Sequence, residues 1–255
     1  MEKNTANEAQ IEALFNVGAH YGFSKSRRHP SMAPYIFGVK NRIEIFNLEK
    51  VSELVEEAKK FMEEAGAGRK KILFVGGKNE ARDAVRKAAE EINMPYVAGR
   101  WIGGTLTNFT EIKKRINRLS DLTEKRSKGE LSKFTKLEQL YIDREIEELE
   151  NIFGGLKTLE GLPYALVVVD TKQESIAVKE AKKMHIPVVG ILNSDCNATG
   201  IDRLLAGNDA STASISYFLN ELAVSYVAGL KRAPETPATE AKREGEGETN
   251  TNNEV

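Results

Sequence analysis

The chain has 255 residues, 37 Lys and Arg against 38 Asp and Glu, and a formal net charge of −1. That length can bury a full core in one or two domains, while the near-zero charge excludes a globally basic nucleic-acid binder, so any such surface must be local. A single cysteine, Cys196, excludes a disulfide framework and a multi-cysteine zinc site.

Met1 to Asn7 is polar and lacks the apolar core of a signal peptide, and no apolar run reaches the roughly 20 residues that span a bilayer. A soluble, cytoplasmic protein with no membrane partner is expected. Ile11, Leu14 and Phe15 stand at helical spacing and predict a short helix over residues 8–17. Residues 18–30 read as a loop from their Gly, Ser and Pro content. This loop gathers Lys25, Arg27, Arg28 and His29 beside Tyr21 and Phe23, a basic-aromatic mixture suited to RNA phosphates and exposed bases. A merely solvated loop would contain the same residues. Residues 35–39 and 43–46 predict two strands joined by a turn at Lys40-Asn41-Arg42. Asn47-Leu48-Glu49 then leads into a helix with Val51, Leu54, Val55, Ala58, Phe61 and Met62 on one face.

Residues 71–76 form a near-continuous apolar run, as in a strand buried on both faces of a parallel sheet. Gly76-Gly77-Lys78-Asn79 follows, then a helix carrying Ala81, Ala84, Val85, Ala88, Ala89 and Ile92. Strand, glycine turn and helix is the layout that cradles phosphate in nucleotide-binding folds. Here it lacks both the Gly-x-Gly-x-x-Gly signature and the upstream Gly and Ser/Thr of a P-loop. A short strand over 95–99 delivers the junction Gly99-Arg100-Trp101-Ile102-Gly103-Gly104-Thr105-Leu106-Thr107-Asn108-Phe109, which holds the one Trp. Arg100 and Trp101 could present a charge and a flat ring to a phosphate or base. Alternatively Trp101 plugs the core and Gly103-Gly104 simply turns the chain.

An insertion follows, with predicted helices over 108–128 and 133–153. Phe109, Ile112, Ile116, Leu119 and Leu122 make one apolar stripe. Leu137, Tyr141 or Ile142, Ile146, Leu149 and Ile152 make a less regular second one. Together they suggest an antiparallel coiled-coil hairpin with arms of roughly 30 Å. The first arm is basic, with Lys113, Lys114, Arg115, Arg118, Lys125, Arg126 and Lys128. The second is acidic, which allows either mutual pairing or an outward contact surface. Gly154-Gly155 returns the chain to strands over 165–170 and 186–192, a helix over 174–184 and a last helix over 209–228. Alternating strands and helices imply a doubly wound parallel sheet with right-handed crossovers. The expected organisation is an α/β domain over 1–104 and 155–230, a helical hairpin over 105–154 and a disordered tail over 231–255.

Asp170, Asn193, Asp195 and Asp202 are expected at or beyond the carboxyl ends of strands, where doubly wound enzymes keep their sites. No histidine, cysteine or nucleophile elbow is spaced to join them. Two classes remain: a ribonucleoprotein or scaffold component, and a nucleotide- or sugar-binding α/β enzyme.

The co-linear set Gly18-Ala19-His20-Tyr21-Gly22, Pro34-Tyr35-Ile36-Phe37-Gly38, Ile45-Phe46-Asn47-Leu48-Glu49-Lys50, Arg100-Trp101-Ile102-Gly103-Gly104-Thr105-Leu106-Thr107-Asn108, Gly161-Leu162-Pro163 and Gly207-Asn208-Asp209 resembles the bacterial small-subunit ribosomal protein S-two family over about residues 11–229. The resemblance implies a flavodoxin-like α/β domain with a protruding helical hairpin and a structural, non-catalytic role without cofactor or metal. It further implies binding of small-subunit rRNA near the head-body junction and contact with other small-subunit proteins, including the docking of ribosomal protein S-one. The residues expected to meet RNA are Tyr21, Lys25, Arg27, Arg28, His29, Arg100, Trp101, Lys113, Lys114 and Arg118. The chain departs from the family at Phe23, where a second histidine is common, and at Asn193, where an aspartate is common.

Overall fold

A computed structural model of the chain describes residues 2–232, with side chains described from Glu8 onward, Ser132 excepted. Helix α1 (Glu2–Asn16) starts earlier than the apolar spacing predicts. Strands β1 (Tyr21–Ser24), β2 (Ile36–Lys40) and β3 (Ile43–Phe46) form a small antiparallel sheet in the order β1-β3-β2. The β2–β3 turn places Asn41 and Arg42 at φ of 52° and 67°. Two successive left-handed residues match the right-handed twist of the flanking strands. Strand β1 corrects the expected loop. Glycine and serine conceal it in the sequence, yet Tyr21 pairs opposite Ile45 and the Phe23 amide donates to Ser194 Oγ at 2.9 Å.

The body is a five-stranded parallel sheet of β4 (Ile72–Val75), β5 (Tyr96–Val97), β6 (Ala165–Val169), β7 (Val188–Leu192) and β8 (Arg203–Ala206), ordered β5-β4-β6-β7-β8. Counted within this sheet the order is 2-1-3-4-5, the flavodoxin-like arrangement whose ligand crevice opens between the first and third strands. Every residue of β4, β6 and β7 is buried, as the unbroken apolar runs require. Alternate residues feed two cores. Ile72, Phe74, Val167 and Val169 pack with α2 (Leu48–Ala67), α3 (Asn79–Glu91) and α7 (Thr212–Arg232). Leu73, Val75, Leu166 and Val168 pack on the other face with α6 (Ser175–Lys183).

Strand β8 is the second element that the sequence reading misses. It begins just after Asp202, which therefore lies at the amino end of a strand rather than beyond a carboxyl end. There Asp202 Oδ2 accepts the Val188 amide at 2.8 Å.

Residues 105–154, expected as an insertion, contain α4 (Phe109–Ser127) and α5 (Lys136–Phe153). Thr135 and Glu138 close a reciprocal capping box at the start of α5. The buried stripe of α4 is Ile112, Ile116, Leu119 and Leu122, as predicted. That of α5 is Ile146, Leu149 and Phe153; Leu137 and Tyr141 instead face solvent, 60% and 59% exposed. Both stripes join the core that covers Leu73 and Val75. Arg118 meets Glu145 and Arg126 meets Asp143, so two charge pairs join the helices. Helix α7 continues through Arg232, two residues into the expected tail; the rest of that tail lies outside the described residues. Among the described residues no helix is long and apolar enough to cross a membrane.

Candidate nucleic-acid interface

The β1 segment and the turn after it are anchored on the carboxyl end of β7. The Phe23 amide bonds Ser194 Oγ, and the His29 amide donates to the Ser194 carbonyl at 2.8 Å. His29 Nδ1 lies 2.8 Å from Ser31 Oγ and accepts the Ser31 amide, capping the short turn that follows. Lys25 and Arg27 are left exposed on a turn pinned at both ends, with no carboxylate at ion-pair distance among the described residues. Arg27 lies over the Phe23 ring, 5.6 Å from its centroid, while Lys78 approaches the same ring at 6.0 Å. Tyr21 is 48% exposed and packs on His20, which stacks in turn on Phe15. Burial holds His20 below the ordinary histidine pKa, so it is neutral at pH 7.

Arg28 is committed differently. Its Nη1 stands 3.2 Å from Oε1 of Glu44, a fully buried carboxylate with no other bonded partner among the described residues. A phosphate competing for Arg28 would strand that carboxylate, at a cost of roughly 3–5 kcal/mol. Arg28 is therefore first a structural cation.

At the junction the two expected residues separate. Arg100 is exposed, whereas Trp101 is 6% exposed and belongs to the core beneath α6. Its indole Nε1 donates to Glu180 Oε1 at 3.2 Å. Trp101 therefore has no open face for a base, and its expected RNA contact is corrected to a core anchor. Glu180, missed in the sequence, organises the whole junction. Oε1 also accepts the Gly104 amide at 2.7 Å, and Oε2 accepts the Leu106 and Thr107 amides at 3.0 and 3.1 Å and the Thr107 hydroxyl at 3.2 Å. Desolvation pushes its pKa up, but the backbone donors and the indole outweigh that and hold it below the ordinary glutamate range.

Lys114 and Arg118 are exposed and paired with carboxylates, whereas Lys113 is half-buried and bonds a backbone carbonyl. Lys113 donates to the Glu160 carbonyl at 2.7 Å, Lys114 lies 2.6 Å from Glu111, and Arg118 lies 3.1 Å from Glu145. Exposed pairs of this kind are worth about 0–1 kcal/mol, so a phosphate can exchange for the carboxylate. Loop, junction and arm are thus held by different elements: β3 and Ser194, α6, and α5.

The carboxyl ends of β4 and β6 are where an enzyme with this sheet order would bind its ligand. Here Lys78 Nζ fills that position, 3.1 Å from Asp209 and 3.5 Å from Asp170. Burial alone would lower the Lys78 pKa; the two carboxylates reverse that and raise it. Asp209 is fully buried, and desolvation raises its pKa against the opposing Asn193 bond and Lys78 charge. Its Oδ2 faces Lys78 without hydrogen-bond alignment, so this contact is Coulombic. Asp170, Cys196 and Asp209 place ligand-type atoms within 4.8 Å of one another. Burial, with the nearby aspartates, pushes the Cys196 thiol up to about 12, so it is a protonated thiol rather than a thiolate ligand. The glycine turn is spent internally as well. The Gly77 amide donates to Glu174 at 3.0 Å, and a side chain on Gly77 would meet the Gly99 carbonyl at 2.5 Å. The amide that would cradle a phosphate is occupied.

In this flavodoxin-like body the crevice is filled by the protein's own Lys78, and Lys25 and Arg27 stand exposed on a surface turn. The comparisons with known proteins specify the family. The model described as Ribosomal protein S2 matches residues 14–229, and the chain belongs to that family. It is 41% identical over 233 residues to a protein of Francisella tularensis subsp. novicida named small ribosomal subunit protein uS2, covering 91% of this chain and 98% of the relative. A relative of the same name from Roseiflexus sp. is 40% identical over 232 residues, covering 91% of this chain and 88% of its own length.

Proposed function

We propose that the protein is a non-catalytic constituent of the small ribosomal subunit in the cytoplasm, binding small-subunit rRNA near the head-body junction and docking a neighbouring ribosomal protein. The observation that carries this reading is the exposed pair Lys25 and Arg27 beside Tyr21, on a turn pinned to Ser194, in a chain of net charge −1. Arg100, Lys113 and the exchangeable cations Lys114 and Arg118 add to the basic surface. Residues 105–154 act as a hairpin that carries part of it outward. Two apolar patches suit protein docking, ribosomal protein S-one among the candidates. One comprises Phe37 and Val39 on β2, which are 78% and 52% exposed, and the other Leu137, Leu140 and Tyr141 on α5. Apolar groups left this open mark interaction surfaces.

The test is binding to a small-subunit rRNA transcript across a salt series. Each lost phosphate contact reduces the slope of log affinity against log salt by roughly 0.7–0.9. Replacing Lys25, Arg27 and Arg100 by Gln together should therefore flatten it by about 2–3. Wild-type affinity that ignores salt would refute the reading. Sedimentation of the protein with small subunits, abolished by nuclease, is the complementary result expected from lysate.

A further inference from the structure

A groove runs between the turn after β6, the outer face of α6 and the loop joining β7 to β8. Its cavity volume is about 380 Å³, and its lining includes Lys172, Lys179 and Lys182 together with Val178 and His29. We propose that this groove seats one unpaired nucleotide of RNA, its base against His29 and Val178 and its phosphates against the lysines. This rests on the reading that the chain binds rRNA and adds a binding site to it.

The charge in the groove is unbalanced. Lys179 is exposed with no acidic partner among the described residues. Lys182 donates to the Thr199 carbonyl at 2.8 Å, which orients the ammonium without neutralising it. Lys172 pairs with Asp195 at 2.8 Å but is 64% exposed, so a phosphate can take it over. Three positive charges therefore face one carboxylate. Lys179 and Lys182 stand three residues apart on α6, which sets their Cβ atoms about 5–6 Å apart on one face. That spacing suits neighbouring phosphates of a strand.

The walls are rigid. The Ala198 amide donates to Ser31 Oγ at 3.0 Å, the Thr199 amide to Asn197 Oδ1 at 2.8 Å, and the His29 amide to the Ser194 carbonyl at 2.8 Å. These bonds tie the far wall to the same turn that presents Lys25 and Arg27, so the groove continues the basic surface already described. Val178 is 7% exposed and is the apolar side chain in the lining. Single-stranded RNA is held by cations along the backbone and by rings on which bases stack; His29 supplies the ring in this lining and Val178 the apolar contact. A duplex keeps its bases stacked inside and could use only the lysines.

The experiment compares the wild-type chain with the triple variant Lys172→Gln, Lys179→Gln, Lys182→Gln and with Lys179→Gln alone. The probes are a small-subunit rRNA transcript and a fully paired RNA duplex. Melting temperature verifies folding; should the triple variant fail to fold, the single variant, changed at an unpaired exposed lysine, still reports. For the transcript, the salt slope should flatten by about 2 in the triple variant and by just under 1 in the single variant. For the duplex the change should be smaller. A folded triple variant with the wild-type slope, beside a Lys25 and Arg27 variant whose slope falls, overturns the groove and leaves the rRNA reading standing. Wild-type protein with no salt-dependent RNA binding overturns both. A melting-temperature rise with millimolar AMP or GMP, lost in the triple variant while RNA binding is unchanged, assigns the groove to a free nucleotide and also overturns the proposal.

Discussion

Glu180→Gln tests the account of the junction most directly. The wild-type carboxylate accepts five hydrogen bonds: two at Oε1, from the Trp101 indole and the Gly104 amide, and three at Oε2, from the Leu106 amide and the Thr107 amide and hydroxyl. Glutamine keeps the shape but puts an NH2 where one of those oxygens stood, so donors face donors. At least two charge-assisted bonds are lost, each worth about 1.5–3 kcal/mol. The expected loss is about 3–6 kcal/mol, a large share of the roughly 5–15 kcal/mol that typically separates folded from unfolded chains. In a body of this size it lowers Tm by roughly 6–24 °C. Trp101 is the sole tryptophan, so its emission reports the site without labelling. Urea unfolding followed by far-ultraviolet circular dichroism gives the global loss, and a red shift in native emission reports the opened junction. Acid supplies the sign. The Glu180 pKa is depressed on folding, so its stabilisation is complete above the ordinary glutamate pKa and is lost as pH falls through the lower folded value. The gap between wild type and Glu180→Gln should therefore narrow as pH falls below about 4. A loss under about 1 kcal/mol at pH 7, with unchanged emission, would refute the reasoning.

Lys78→Ala leaves Asp209 buried without its cation and should cost about 3–5 kcal/mol in urea unfolding at pH 7. The folded pKa of Asp209 is already raised, so its favourable contribution exists at low pH and is lost as pH rises; without Lys78 the folded pKa rises further, and the deficit should shrink on acidification. Gly66→Ala and Gly229→Ala set helix propensity, worth about 1 kcal/mol in favour of alanine, against collision with the Tyr226 and Glu63 carbonyls where α2 crosses α7. Backbone on the far side cannot yield, so we expect each to lose about 2 kcal/mol or more in urea unfolding. The Cys196 thiol, buried and pushed up to about 12, should ignore Ellman's reagent at pH 8 and react only as the chain unfolds.

What the sequence revealed follows from where each signal resides. The parallel strands were legible because burial on both faces forces an unbroken apolar run, as in Ile72 to Val75. The stripe of α4 was legible because one buried face repeats at 3.6 residues. Strand β8 was hidden by its first residue, Arg203, and by the absence of β-branched side chains; only hydrogen bonding to β7 defines it. Tyr21 to Ser24 hid for a similar reason, since its pairing and the Ser194 contact come from far along the chain. Glu180 gave no local signal at all. It reads as one more charge on a lysine-rich helix, and its partners lie 73 to 79 positions away. The expected RNA residues divided on the same principle. Exposure of Lys25 and Arg27 follows from a polar turn, whereas the fates of Arg28 and Trp101 were decided by two buried carboxylates, Glu44 and Glu180.

A third buried carboxylate, Asp209, bears on how this fold is used. In a sheet of order 2-1-3-4-5 the crevice between the first and third strands is where backbone amides and polar side chains converge on a ligand. Here Lys78 enters it, Asp170 and Asp209 hold the lysine, and the Phe23 ring of β1 lies on the same ammonium. The position that would bind a ligand has become a joint between the parallel sheet and the small antiparallel one. Strand β1 and the turn after it, with Lys25 and Arg27, are fixed in place through that joint and through Ser194. Weakening it by Lys78→Ala should therefore reduce RNA affinity although Lys78 itself need not touch RNA. If the salt slope holds while affinity falls, the lysine acts through the turn; if the slope drops by a full contact, Lys78 meets a phosphate directly and the joint has been misread.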